Sequence, residues 1–182
     1  MAKVRSRLLV IDASIAMAAG DVSMNPTSRN CREFLQTILQ ICHLMALTVP
    51  IQEEWNRHQS RFARQWRKLM MARKKIELVE VPPERSLERR IIRTIRDAPI
   101  AAIIEKDRRL IEAALVTDKR VASLDDQVRG HFKAHRDTLP EARSICWVNP
   151  NTPDEEIVAW LRSGAPSDPF RALGHTPREA ER

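Results

Sequence analysis

The stretch that decides the fold class is residues 7–12, which read Arg-Leu-Leu-Val-Ile-Asp. Its central residues are apolar without alternation, and Val10 and Ile11 are β-branched. A strand that is apolar on both faces is typical of a parallel sheet with helices on both sides. The run ends at Asp12, and Ser14 follows it as a candidate cap for a turn or a helix.

After this strand, the chain alternates short apolar runs with longer amphipathic segments. The short runs predict strands over 47–50, 76–81, 121–124 and 145–148. Apolar residues at helical spacing predict helices over 29–45, 52–75, 87–95, 100–115 and 155–161. This order predicts an α/β fold with a central, mostly parallel sheet. We expect one domain over 1–164, and a flexible tail over 165–182, where no periodicity remains.

The composition narrows the class of protein. The chain has 182 residues, which suits one domain, and its formal net charge is +7. An excess of basic residues favours a polyanionic partner. The three cysteines lack the pairing of a disulfide framework, and the longest apolar stretches fall short of a membrane span. We therefore expect a cytoplasmic protein that has no contact with a membrane.

Acidic residues stand close to the predicted strand ends. Asp12 and Asp125 end two strands, Glu54 lies one helical turn after the second strand, and Asp107 lies in the helical segment that leads to the strand of Asp125. Because parallel strands present their carboxyl ends at one edge of a sheet, we expect these four side chains to meet there. Their chemistry has two interpretations at this stage: a metal site, or a set of helix caps and surface charges.

A metal site would explain how several carboxylates can share one edge. Like charges at close range repel one another, and a hard divalent cation such as Mg²⁺ or Mn²⁺ removes that repulsion. Such a site suits the hydrolysis of phosphodiester bonds, because the ion lowers the pKa of a bound water. Two positions stay ambiguous. Glu53 competes with Glu54 for the second acid, and Asp126, which follows Asp125, is a further candidate metal ligand.

The acidic motifs resemble those of the PIN domain family. Residues 8–14, Leu-Leu-Val-Ile-Asp-Ala-Ser, resemble the opening motif of that family, and residues 50–55 are similar to the segment with its second acid. Residues 106–115 and 121–126 resemble its third and fourth acidic motifs, in the same order. The resemblance spans residues 6–150.

The resemblance implies a three-layer α/β/α sandwich and a metal-dependent endoribonuclease that cleaves single-stranded RNA. It places Asp12, Glu54, Asp107 and Asp125 at the catalytic and metal-binding positions, with Mg²⁺ or Mn²⁺ as the cofactor, and Ser14 as the nearby hydroxyl. Many bacterial members are toxins of toxin–antitoxin pairs, so it also implies a homodimer and an antitoxin-like protein partner. The long basic segment after Glu54 departs from a compact toxin.

That segment, residues 57–75, is rich in Arg and Lys and contains no acid. Phosphate groups attract such residues, so it is a candidate to hold single-stranded RNA. The candidate substrate-binding side chains are Arg57, Arg61, Arg64 and Lys68, together with Ser14 beside Asp12. The interleaved Trp55, Phe62 and Trp66 have two interpretations: platforms on which bases stack, or the buried face of a helix.

A second basic cluster, over residues 85–96, could extend the same surface or face an acidic partner protein. The sequence has neither a GxGxxG nor a Walker A motif, and no GxSxG elbow, so nucleotide-cofactor and acyl-transfer enzymes have no support. Two alternatives to the nuclease stay open. One is a catalytically silent PIN-like module that binds RNA or a protein, and the other is a metal-dependent phosphatase.

Overall fold

The computed structural model describes residues 5–20 and 25–175 of the chain. Five short strands form one sheet. They are β1 (Leu8–Ile11), β2 (Leu44–Leu47), β3 (Ile76–Leu78), β4 (Arg120–Ala122) and β5 (Cys146–Val148). Their side chains are buried, apart from the half-buried Leu8 and Leu44 and those of β3, which lies at one edge of the sheet.

The strands pair in the order β3-β2-β1-β4-β5, and every pair is parallel. The prediction of an α/β fold with a parallel central sheet is confirmed. The strand order reverses between β1 and β4, where Val10 pairs with Val121 and Ile11 with Ala122. Ligands of open parallel sheets bind beyond the carboxyl ends of the strands at such a reversal. Asp12 and Asp125 follow these two strands.

Helices cover the sheet and complete the α/β/α sandwich that the resemblance implied. They are α1 (Ala13–Ala18), α2 (Pro26–Gln40), α3 (Val49–His58), α4 (Arg61–Ala72), α5 (Glu88–Thr94), α6 (Ala98–Leu115), α7 (Asp126–Ala134) and α8 (Ile157–Arg162). Helix α6 packs on β1 and β4 with α5 and α7 beside it, whereas α2 packs with α1, α4 and α8. Helix α3 contacts both α1 and α6. None of the described helices is both long and apolar enough to cross a membrane.

Several predicted elements have different boundaries in the structure. The helix expected over 29–45 is Pro26–Gln40, and the strand expected over 76–81 ends at Leu78. The strand expected over 47–50 lies at Leu44–Leu47, because the Val49-Pro50 pair opens α3 instead. The single helix expected over 52–75 is two helices. The chain leaves α3 at Gln59 and restarts at Ser60, whose Oγ accepts a hydrogen bond from the N–H of Ala63. Serine is a preferred N-cap residue, because its hydroxyl accepts from a backbone N–H of the first helical turn. The apolar periodicity of the segment does not reveal this new helix start.

The prediction of a flexible tail over 165–182 is wrong for the part that the structure describes. Ala165 and Leu173 are fully buried. The N–H of Leu173 donates to the carbonyl of Ile145 at 2.9 Å, and Nε of Arg120 donates to the carbonyl of Ala165 at 2.8 Å. This segment lacks periodicity because it packs as irregular chain with short turns. The rest of the predicted tail lies outside the described residues.

Candidate active site

Asp12 is held at the end of β1 by two hydroxyl groups. Oγ of Ser14 donates to its Oδ2 at 2.5 Å, and Oγ of Ser123 donates to the same oxygen at 2.9 Å. Neither bond uses Oδ1. The two serines also tie Asp12 to the end of β4, because the N–H of Leu124 donates to Ser14 and that of Asp125 donates to Ser123. The first acid therefore has a fixed orientation, and Ser14 positions it instead of capping α1.

Asp125 and Asp126, which the sequence left ambiguous, point to different surroundings. Asp125 lines the cleft that also contains Asp12, and its Oδ1 accepts from the N–H of Val128 as the N-cap of α7. Asp126 is not among the residues that line this cleft. Its Oδ2 accepts from Nδ2 of Asn149 at 2.7 Å, and its Oδ1 lies 3.7 Å from Arg129. The structure thus brings Asp125, and not Asp126, to the other acids.

Asp107 joins the same cleft from α6. Burial, and to a smaller extent the nearby charges of Asp12 and Asp125, raise the pKa of its carboxyl group to about 6. Arg109 and Lys106 act in the opposite direction. The raised pKa means that burial and like charges outweigh the two cations, so Asp12 and Asp125 lie close enough to oppose the ionisation of Asp107.

Glu54 lies on α3 and lines the cleft, but its charge is balanced by basic side chains. Its carboxylate is 2.7 Å from Arg57, 3.4 Å from Arg109 and 3.5 Å from His58. Its neighbour Glu53 is exposed and is not among the residues that line the cleft, so Glu54 is the second acid of the group.

The cleft between these residues has a volume of about 260 Å³. Asp12, Glu54, Asp107 and Asp125 all line it. Over residues 5–20 and 25–175, however, no three acidic, histidine or cysteine side chains converge closely enough to coordinate one ion as they stand. The reason is local: Glu54 turns to its basic partners, and Asp125 caps a helix. A cation would have to draw these side chains inward.

The two tryptophans in and beside the basic segment do not form a platform for bases. Trp55 and Trp66 are buried, with their ring centroids 5.8 Å apart, and Phe62 is only half-buried, with the guanidinium of Arg32 over its ring. The interpretation of these residues as base-stacking platforms is therefore wrong for the two tryptophans. They belong to the core because they fall on the apolar face of their helices.

The basic side chains predicted to hold RNA have separate positions. Arg61, Arg64 and Lys68 are exposed on α4, while Arg57 is exposed on α3 and paired with Glu54. Sequence reasoning missed two other participants at the cleft. Ser123 was not singled out, although it stands two residues before Asp125, and Arg109 was not, although it stands two residues after Asp107.

Comparisons of the chain with protein-family models, with curated proteins and with solved structures found no match. The structure itself defines the chain as an α/β/α protein with an acidic cleft at the reversal of its strand order.

Proposed function

We propose that this protein is a metal-dependent endoribonuclease that hydrolyses phosphodiester bonds of single-stranded RNA in the acidic cleft. The observation that carries the proposal is the placement of Asp12, Asp107 and Asp125 around one cleft, close enough that the pKa of Asp107 rises to about 6. An arrangement of carboxylates that oppose one another's charge is typical of sites that bind cations. The resemblance of the acidic motifs to those of PIN domains agrees with it.

The donor set fits Mg²⁺ or Mn²⁺. Carboxylate oxygens are the ligands these hard ions prefer, and the cleft offers four such groups. Asp12, Asp107 and Asp125 would hold the ion, and Glu54 would join them by leaving its basic partners. When bound, a divalent ion lowers the pKa of a water molecule and offsets negative charge that develops on the phosphate.

The chain's own residues contribute orientation and positive charge. Ser14 and Ser123 fix the carboxylate of Asp12 by hydrogen bonds to Oδ2. Lys106 and Arg109 line the cleft and would attract the phosphate that is to be cleaved. The exposed basic side chains of α4 would attract further phosphates of the RNA strand, without stacking on its nucleobases. A homodimer and an antitoxin-like protein partner belong to this proposal only through the resemblance.

The test is the cleavage of an end-labelled, mixed-sequence single-stranded RNA with Mn²⁺ and with EDTA. We expect cleavage by the wild type in Mn²⁺ alone, and none by Asp107→Asn or Asp125→Asn. Asparagine is as good an N-cap as aspartate, so Asp125→Asn keeps the start of α7. The matched control is Asp126→Asn, which changes the adjacent aspartate outside the cleft and should still cleave. Cleavage by Asp107→Asn, or cleavage in EDTA, would contradict the proposal.

One observation favours a second function, a module that binds RNA or a protein without cutting. Glu54 is already satisfied by Arg57, His58 and Arg109, so the cleft is partly neutralised by the protein itself. Calorimetric titration with Mn²⁺ separates the two functions. No heat of binding, together with retention of uncut RNA in a salt-sensitive complex, would favour the module over the nuclease.

A further inference from the structure

A second pocket of about 420 Å³ lies beside the acidic cleft. It is formed by the start of α3, the chain that follows β3, and α6. Arg109 lines both the pocket and the cleft, so the two are adjacent. The volume falls within the ~300–1,000 Å³ that is usual for sites of small ligands. The side chain of Arg109 would separate a group bound in this pocket from the acidic cleft.

The walls of this pocket are mainly apolar. Pro50, Val79, Val81 and Pro82 contribute apolar side chains, and the Val79–Pro82 segment follows the edge strand β3 without forming a helix or a strand. Such walls exclude a phosphate or another strongly hydrated group from the interior. They suit the faces of a flat, uncharged ring.

The charged residues that line the pocket are largely paired with one another. Arg108 donates to both carboxylate oxygens of Glu112 at 2.8 Å and also pairs with Glu105. Glu112 in turn accepts from the N–H of Leu87. Arg109 is held less closely, with 3.4 Å to Glu54 as its shortest ion-pair distance. Glu80, which is exposed, also lines the pocket, so the lining contains two acidic and two basic side chains, with Arg109 at the side that faces the cleft.

Thr48 supplies an unused hydrogen-bonding group in the wall. It is 5% exposed, lines the pocket, and stands at the N-cap of α3 without making the cap bond. Its buried Oγ1 finds no hydrogen-bond partner among residues 5–20 and 25–175. A buried hydroxyl without a partner costs free energy, and a hydrogen bond from a ligand would remove that cost. A hydroxyl can donate to an acceptor or accept from a donor on a nucleobase, so the preferred base is the one whose edge the apolar walls bring to Thr48.

We infer that this pocket binds the base of the nucleotide next to the phosphate that is cleaved, and that it sets the sequence preference of the protein. The inference rests on the proposed function, because it takes RNA as the ligand of the acidic cleft. A base enters between the apolar walls and bonds to Thr48, while Arg109 contacts the adjoining phosphate. Proteins recognise single-stranded RNA by taking up unstacked bases in this way.

The first test locates the base directly and needs no substitution. Two single-stranded RNAs, one with 4-thiouridine and one with 6-thioguanosine, are bound to the wild-type protein in EDTA, irradiated and mapped after trypsin digestion. Trypsin releases residues 76–85 as one peptide, because Lys75 and Arg85 flank its cleavage points. We expect that peptide to carry the main crosslink. Crosslinks confined to α4 or to other segments would overturn the inference.

The second test uses Thr48→Val, which removes the hydroxyl and keeps the branched shape. Since Oγ1 has no hydrogen-bond partner among the described residues, the variant should unfold at a urea concentration equal to or higher than that of the wild type. Fluorescence anisotropy with labelled U, A and C hexamers in EDTA should show about a two- to tenfold loss of affinity for the preferred base only. The matched control is Thr117→Val. Thr117 lies in the turn between α6 and β4, at the amino ends of the strands, so this variant should change none of the affinities.

The outcomes distinguish this inference from the proposed function. Equal affinities of the wild type for all three hexamers, or an equal loss for all three in Thr48→Val, would overturn the base pocket while leaving cleavage untouched. RNA that crosslinks to residues 76–85 but is never cut would support the pocket and contradict the nuclease. A protein that binds no RNA would overturn both.

Discussion

The position of Asp12 depends on a buried hydrogen bond that can be tested by one pair of substitutions. Nε1 of Trp55, on α3, donates to the carbonyl of Ile11 at 2.8 Å, directly before Asp12. Trp147, on β5, is equally buried, but its Nε1 has no hydrogen-bond partner among the described residues. Both rings pack against another aromatic ring, with centroids 5.8 Å from Trp66 for Trp55 and 6.0 Å from Phe132 for Trp147.

The expected difference follows from this contrast. Trp→Phe removes the same ring atoms at both sites, so the losses of apolar contact are similar. Trp55→Phe also leaves the carbonyl of Ile11 without its indole donor, which costs about 1–3 kcal/mol. Trp147→Phe removes a donor that was already unpaired and carries no such cost. We therefore expect Trp55→Phe to lower the free energy of unfolding by about 1–3 kcal/mol more than Trp147→Phe.

Urea denaturation followed by circular dichroism measures both variants against the wild type. Equal slopes with different midpoints would show that the change is in stability and not in the unfolded state. A Trp147→Phe variant as destabilised as Trp55→Phe, or more so, would contradict this expectation. That result would mean that the indole of Trp55 does not hold the end of β1.

Two further predictions concern other buried groups. His43 accepts from the N–H of Arg7 and bonds to the carbonyl of Leu161, and burial lowers its pKa, so the fold needs the neutral ring. Stability from His43 is present above its unfolded pKa of about 6.5 and is lost as the pH falls below it, so urea midpoints should decline from about pH 8 to 5, and less steeply in His43→Gln. For the thiols, burial raises the pKa of Cys31 to about 12, whereas Cys42 is exposed. A thiol-specific dye should therefore show a fast phase that Cys42→Ala abolishes and Cys31→Ala leaves intact.

Much of the architecture follows from local patterns in the sequence. The β-branched run before Asp12 predicted a buried strand, and the long apolar stripe predicted α6 to within two residues at its start. The places where prediction failed depend on tertiary contacts. The chain around Leu173 has no periodicity, yet it is buried because it bonds to β5 and its neighbours. The break at Ser60 depends on a single side chain, which helical periodicity does not reveal.

The candidate site shows the same division. The predicted strand ends placed Asp12 and Asp125 together, because parallel strands present their carboxyl ends at the same edge of the sheet. The pairing of Glu54 with Arg57 was also within reach of the sequence, since residues three apart on a helix are neighbours. Its pairing with Arg109 was not, because that contact joins α3 to α6. Nothing in the sequence pattern marks Ser123 as a donor to Asp12, because the two meet only when β4 pairs with β1.

The site also explains why an acidic cleft can persist in a strongly basic protein. The carboxylates of the cleft have two kinds of partner. Glu54 is surrounded by basic side chains, while Asp12 is held by the neutral hydroxyls of Ser14 and Ser123. Hydroxyl donors orient a carboxylate without cancelling its charge. The fold thus keeps a negative charge at the strand reversal, where a cation would be held, and places Arg109 between that charge and the neighbouring pocket. An arrangement of this kind would direct a bound strand with its phosphate toward the acids and its base toward the apolar wall.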